Sequence, residues 1–212
     1  MLLQLFRACC SYSESVYDKW MMPLDLCSLA TYLKHSIPSI KIQIIDGQVV
    51  DEISLLSRID PSASIVGITY TVFSADSMEL IAKIAKNNGS FVVIGGHAAT
   101  ASAENLLLNP DIDAVIKYDG EISLTLLAKN LMGSKDIKDL GDIPNIVFKT
   151  SKGLGHGPSV TFNINDLPAP QREVSNVNIE NYIQAYTTTC TEKRLIASRP
   201  TNAYSKKGCP RS

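Results

Sequence analysis

The sequence lacks any sizeable block of one charge: 20 Lys+Arg stand against 21 Asp+Glu, for a formal net charge of -1. No basic run exceeds two residues, as at Lys206-Lys207. A phosphate backbone finds no patch to grip, so nucleic acid is not expected as a partner. No CxxC pair occurs, and the five cysteines, Cys9, Cys10, Cys27, Cys190 and Cys209, are odd in number. That pattern signals neither a disulfide framework nor a complete zinc site, and a reduced, cytoplasmic chain is the simplest expectation. No segment approaches the ~20 consecutive apolar residues of a membrane span, so no membrane association is expected. The apolar start, Met1–Phe6, stops at Arg7 without the basic lead and longer apolar core of a secretion signal. Internal repeats and low-complexity tracts are also absent.

What is present is an ordinary globular composition: 212 residues, 45% hydrophobic and 19% charged. That suffices for one domain with a real core plus an extension. Strand-like and helix-like segments alternate regularly. Leu2–Phe6, Ile40–Ile45, Ser64–Thr69, Phe91–Ile94 and Ala114–Ile116 read as short apolar strands. Between them lie helical patterns: one opened by Pro23 with Leu26, Cys27, Leu29, Ala30 and Leu33 on one face, and one over about Asp51–Arg58. A third has Asp76 as its N-cap, Glu79 completing a capping box, Met78, Ile81, Ala82 and Ala85 as its buried face, and Asn88-Gly89 as its stop. Further helices are expected around Ala101–Leu108 and Glu121–Leu131.

Apolar strands alternating with helices indicate an α/β fold, a doubly wound parallel sheet covered on both faces. Five such units suggest the flavodoxin-like order 2-1-3-4-5, with function in the loops after strands one, three, four and five. After Gly133 the pattern changes. Asn145–Lys149 and Ser159–Asn163 read as a β-hairpin joined by the glycine-rich Lys152–Pro158, and Leu167-Pro168-Ala169-Pro170 reads as a linker. The expected division is a domain over 1–165, hairpin 145–163 included, and an extension over 166–212 with one helix at about Ile179–Tyr186.

Each candidate residue has a functional and a plain reading. The first βα loop, Arg7–Met22, has no glycine-rich turn, so a dinucleotide site fails despite Asp46 at the end of strand two. Asp46 reads as a strand-end residue. The third strand ends in Gly67-Ile68-Thr69, without the carboxylate a response regulator would need. Thr69, Thr71 and Ser74 offer hydroxyls where a ligand's polar edge would meet the strand ends, or else cap those ends themselves. Gly95-Gly96 allow a flat ligand near the backbone, or form a tight turn. His97 touches a ligand or donates to a backbone carbonyl. Gly120 and Glu121 line the crevice, or Glu121 is simply a favourable first-turn acid. His35 and His156 read as surface histidines, Gly153–Gly157 as a flexible hairpin tip, and Cys9 and Cys10 as passive thiols.

Several segments together resemble the cobalamin-binding-type domain at the amino end of many radical SAM enzymes. They are Met22–Leu26, Ile65–Thr69, Val92–Thr100 and Lys117–Glu121, followed by Asp142–Asn145 and Asp166–Pro170. Ser205–Pro210 resembles the approach to that family's CxxxCxxC motif. The resemblance implies that Cys209 is the first thiolate ligand of a [4Fe–4S] cluster and that the chain stops just inside the motif. The radical SAM domain, with its S-adenosylmethionine, would then be a missing partner. One departure stands out: relatives that ligate cobalt through histidine carry D-x-H-x-x-G in the first loop, and no D-x-H occurs in this chain. The resemblance thus implies a cobalamin module without a histidine ligand from that loop, contacting the cofactor through Thr69, Thr71, Ser74, Gly95, Gly96, His97, Gly120 and Glu121. The full-length protein would be a B12-dependent radical enzyme, a methyltransferase in the commonest case, and this piece would not be catalytic alone. Two alternatives stay open. The same fold can lack the cofactor and serve as a structural or substrate-docking domain, with Tyr70 and Phe73 filling the crevice. A free-standing small-molecule binding protein is the other.

Overall fold

The computed structural model describes residues 1–10, 21–133, 139–175 and 177–189. Cys190 and Cys209, and most of the first βα loop, lie outside the described residues. Five parallel strands form the centre: β1 (Leu2–Arg7), β2 (Lys41–Asp46), β3 (Ile65–Thr69), β4 (Phe91–Gly95) and β5 (Ala114–Ile116). Their order is β2-β1-β3-β4-β5, as expected from the alternation. Two antiparallel strands, β6 (Ile146–Thr150) and β7 (Gly153–His156), continue the same sheet to seven strands.

Side chains alternate across each strand, so the sheet divides the core in two. Phe6, Ile45, Val66, Ile68, Val92, Ile94 and Val115 face one layer, where α2 (Glu52–Leu56), α3 (Ala75–Asn87), α4 (His97–Ala101) and α5 (Ala103–Leu106) pack. Leu3, Leu5, Ile42, Ile65, Val93, Ala114 and Ile116 face the other, covered by α1 (Leu24–Ser36) and α6 (Glu121–Leu131). Burial on both faces is why the strands read as continuous apolar runs. Gln4 is the polar exception. It is fully buried in β1, with its amide donating to Gln43 Oε1 and Arg58 O and its Oε1 accepting from Asp60 N. Every polar atom has a partner, so its desolvation is compensated.

Three local expectations change. Pro23 caps α1 rather than opening it. The expected Asp76/Glu79 capping box does not form. A 3₁₀ turn at Val72–Ser74 leads directly into α3, and Thr71 with Ser74 makes the reciprocal box instead. That box serves the 3₁₀ turn, which makes Ser74 the N-cap of α3 and leaves Asp76 in its first turn, where its charge suits the helix dipole. The helix expected at Ala101–Leu108 is two short ones. It breaks at Ser102, whose backbone leaves helical geometry (φ -131°) and whose Oγ bonds back to Ala98 O at 2.6 Å.

The hairpin also differs. Its second strand is the glycine-rich segment itself, not Ser159–Asn163. The Phe148 ring lies across Gly155, where a Cβ would meet Phe148 Cζ at 2.5 Å, so only glycine pairs there. Val160 is held by a side chain rather than a ladder: Asn145 Nδ2 donates to Val160 O at 2.8 Å, and Val160 N donates to Asn145 Oδ1 at 2.9 Å.

The segment beyond the Pro168–Pro170 stretch folds back onto the domain. Gln171 N donates to Thr31 Oγ1 of α1 at 2.8 Å. The 3₁₀ turn Arg172–Ser175 packs on α1 and on β2, covering part of an exposed sheet edge. Then α7 (Ile179–Thr189) runs three residues past the expected end and buries Tyr182 and Tyr186. Among the described residues no helix is long and apolar enough to cross a membrane.

Candidate functional site

On the α1/α6 face, the last residues of four neighbouring strands form one row. Asp46 of β2 is in register with Arg7 of β1, Arg7 with Thr69 of β3, and Thr69 with Gly95 of β4. The strand order reverses between β1 and β3, the switch point where doubly wound sheets open a crevice for ligands. The row has two halves of opposite character.

The Asp46–Arg7 half is closed. Arg7 Nε donates to Asp46 Oδ1 at 2.7 Å, and Arg7 Nη2 pairs with Oδ2. Gln48 N donates to Oδ1 at 2.9 Å and Tyr182 Oη to Oδ2 at 2.6 Å. Burial opposes the Arg7 charge, but the attraction and hydrogen bonds of Asp46 more than offset it, and the guanidinium pKa rises. Burial, then the neighbouring Asp46 charge, pushes the Tyr182 phenol far up, so it remains a donor. With both oxygens accepting, the Asp46 carboxylate has nothing left for a ribose, which agrees with the absence of a dinucleotide motif. Sequence reasoning read Asp46 as a strand-end residue. It missed Arg7 and Tyr182, which no local pattern marks.

The Thr69–Gly95 half is open. A Cβ on Gly95 would meet only Ile116 O, at 3.9 Å, so the missing side chain leaves real space on the crevice face. Gly96 does something else. Its φ is +103°, and a Cβ there would lie 2.8 Å from Tyr70 O, so this glycine lets the loops after β3 and β4 touch. The Ser74 hydroxyl is likewise consumed. It is buried, accepts from Thr71 N and donates to Thr71 O, both at 3.1 Å. Thr71 is exposed, its Oγ1 3.1 Å from Ser74 Oγ and 4.0 Å from Cys10 Sγ. Glu121 is buried at the start of α6 and accepts from Ser28 Oγ of α1 at 2.6 Å, tying the two helices together. Gly120 faces Leu29, whose Cδ2 would stand 3.3 Å from an added Cβ. His97 opens α4 and is exposed, not bonded to a described backbone carbonyl.

Sequence reasoning also missed Tyr118. In the loop after β5 it holds φ +60°, a left-handed conformation that costs a bulky residue on the order of 1–2 kcal/mol. Its amide donates to Thr100 Oγ1 at 2.9 Å, while its ring is 60% exposed, with Lys117 Nζ 5.8 Å from the centroid. Val72 and Phe73 are also exposed, at 66% and 58%, on the loop after β3. Phe73 does not fold into the crevice, and Tyr70 packs toward the α3 side. No sequence signal predicts the Tyr118 backbone.

Cys9, near the crevice, is not a reactive thiolate site. Burial pushes the Cys9 thiol up to about 11, and it donates to Gly47 O at 3.3 Å. Cys10 Sγ accepts from Gln48 Nε2 at 3.3 Å. Among the described residues no group of three or more His, Cys, Asp or Glu could hold a metal ion. An open groove of about 700 Å³ lies at the opposite, amino-terminal ends of β1 and β2. Its Lys34 Nζ already bonds Pro38 O and Ile40 O, and ligands of such sheets bind at the carboxyl ends.

The fold is a doubly wound α/β domain of the flavodoxin-like class. No family model matches the chain. It is 30% identical over 162 residues to an uncharacterized methyltransferase of Pyrococcus horikoshii, which covers 72% of this chain and 34% of that one. The cobalamin-dependent S-adenosylmethionine radical enzyme OxsB, with aqua-cobalamin bound, superposes over 87% of this chain at a TM-score of 0.71 and 19% identity. The radical S-adenosylmethionine methyltransferase TsrM of Kitasatospora setae, with cobalamin and a [4Fe-4S] cluster bound, superposes over 74% at 0.60 and 20% identity. The chain spans 25% of OxsB and 30% of TsrM. In fold, then, it corresponds to one segment of cobalamin-dependent radical enzymes, as the sequence motifs led us to expect.

Proposed function

We propose that this chain is a cobalamin-binding module of a B12-dependent radical SAM enzyme. Residues 1–165 would form the module, and 166–212 would lead toward the radical SAM domain with its [4Fe-4S] cluster and S-adenosylmethionine, Cys209 supplying the first cluster thiolate. The observation that carries this reading is the open carboxyl end of β3 and β4. There Gly95 leaves unfilled space beside Thr69, in a fold shared with cobalamin-bound OxsB.

Thr69, Thr71, Gly95 and His97 would hold the cofactor, with Gly120 at the far wall and exposed Tyr118 and Phe73 as an apolar lip. Gly96, Ser74 and Glu121 would support those contacts from behind, since their own atoms are used within the fold. When bound, cobalamin supplies a cobalt centre suited to methyl transfer. This chain's residues would position it and exclude water. No histidine of the first loop is available as a cobalt ligand.

A second reading has one observation in its favour: Leu29 closes on Gly120 between α1 and α6, narrowing the crevice wall. An empty domain for structure or substrate docking would fit that. Titration of the chain with hydroxocobalamin, followed by gel filtration and the visible spectrum of the protein peak, separates the two. Stoichiometric co-elution with a base-off spectrum is expected, and Gly95→Val should abolish it. No retention at concentrations well above micromolar sinks the cofactor reading.

A further inference from the structure

The Asp46 carboxylate does more than neutralise a cation. Its four donors come from β1 (Arg7, twice), the loop after β2 (Gln48) and α7 (Tyr182), the last 136 positions away in sequence. Arg7 extends the network one step further, since its Nη2 also donates to Met21 O at 2.8 Å. Met21 stands where the first βα loop returns to enter α1. One buried ion pair thus ties the exit of that loop to a helix beyond the linker. The rest of the seating is lateral: Gln171 N on Thr31 Oγ1, and the Arg172–Ser175 turn against α1 and β2.

We propose that Arg7, Asp46 and Tyr182 form a latch that couples the entry to α1, at Met21, to the post-linker helix α7, so that the two are held or released together. A charge-assisted hydrogen bond from a buried phenol is strong enough to act as a catch, and it is directional enough to be lost when either side moves. Displacement of Met21 loosens Arg7, and with it the Asp46 carboxylate on which Tyr182 is seated. Undocking of α7 works in the opposite direction. Arg7 and Asp46 are positioning residues in this scheme and need touch no ligand. The proposal holds whether or not the crevice takes cobalamin.

Hydrogen–deuterium exchange of the whole chain, read by peptide mass, tests it with Tyr182→Phe, which removes only the hydroxyl and keeps the buried ring. The latch requires exchange to rise about tenfold or more in both 179–189 and 21–24, the size expected for losing a hydrogen bond to a charged group. Amides of β3 and β4 should stay at their original rates. An unchanged helix overturns the proposal. So does a rise in α7 without one in 21–24, which would make Tyr182 a simple anchor, and so does a uniform rise throughout the sheet. Arg7→Lys is the second variant. A lysine can pair with Asp46 but cannot also reach Met21 O in fork geometry, so it should raise exchange at 21–24 while the chain remains folded. Unaltered exchange there overturns the coupling from the other side.

Discussion

The two halves of one row of strand ends behave as opposites. At β2 and β1, Asp46 is buried with both carboxylate oxygens engaged, Arg7 is paired to it with its side chain 20% exposed, and a helix from the far end of the chain is seated on the pair. At β3 and β4, two residues along the same row, Thr69 and Gly95 are half-exposed and neutral, and Gly95 leaves space. Where a charge is buried it must be fully partnered, and a fully partnered group cannot serve a ligand. The Asp46 carboxylate, with both oxygens engaged, has no acceptor left to offer, and the candidate site lies where the backbone is left bare.

That contrast can be broken most forcefully at Asp46. Asp46→Ala should lower stability by about 3 kcal/mol, because Arg7 is left largely buried without its partner. A shifted urea midpoint at unchanged slope is the expected result, and a loss under about 1 kcal/mol would mean the hub is not structural. Gly96→Ala comes next. Its forced positive φ and the 2.8 Å approach to Tyr70 O should cost about 2 kcal/mol, measured as a fall in Tm. The adjacent Gly95→Ala is the sharpening control. Its new Cβ meets nothing closer than 3.9 Å, so stability should change by less than about 0.5 kcal/mol while retention of hydroxocobalamin weakens. Equal destabilisation by the two alanines would erase the distinction between them.

Smaller effects should follow on either side. Tyr118→Asn relieves a left-handed conformation that Asn tolerates, and should raise stability by about 0.5 kcal/mol in thermal unfolding. Cys9 gives a pH test. Its thiol titrates at about 11 in the fold against 9.0 ordinarily, so the neutral form is favoured natively. Stability from this source is complete below pH 9 and is lost as pH rises from 9 toward 11. At pH 8 the raised pKa keeps Cys9 in its thiol form, and iodoacetamide should label it far more slowly than a free thiol, followed by peptide mass. Rapid labelling would show that Cys9 is more accessible than its burial implies.

Sequence reasoning reached the layered fold because its signals are local. Apolar runs of strand length, a 3.6-residue periodicity in Met78, Ile81, Ala82 and Ala85, and the Asn88-Gly89 stop each depend on neighbours within a few positions. The hairpin misled for a local reason too. Gly153–His156 has poor strand propensity, and only the Phe148 ring lying over Gly155 makes glycine the residue that pairs there. The candidate site was half legible. Gly95 and Thr69 stood out because strand ends after apolar runs are where such sheets bind. The engagement of Ser74, Gly96 and Glu121 was hidden, since it depends on Thr71 O, Tyr70 O and Ser28 Oγ being brought close.

By itself, then, the sequence determined the alternation of strands and helices and the parallel sheet with two buried faces. Those follow from hydrophobic periodicity and chain connectivity, which a linear string carries in full. Only the tertiary structure decided which polar groups are spent. Asp46 meets Arg7 across 39 positions and Tyr182 across 136, and partners that far apart find one another only when the sheet and the returning helix bring them together.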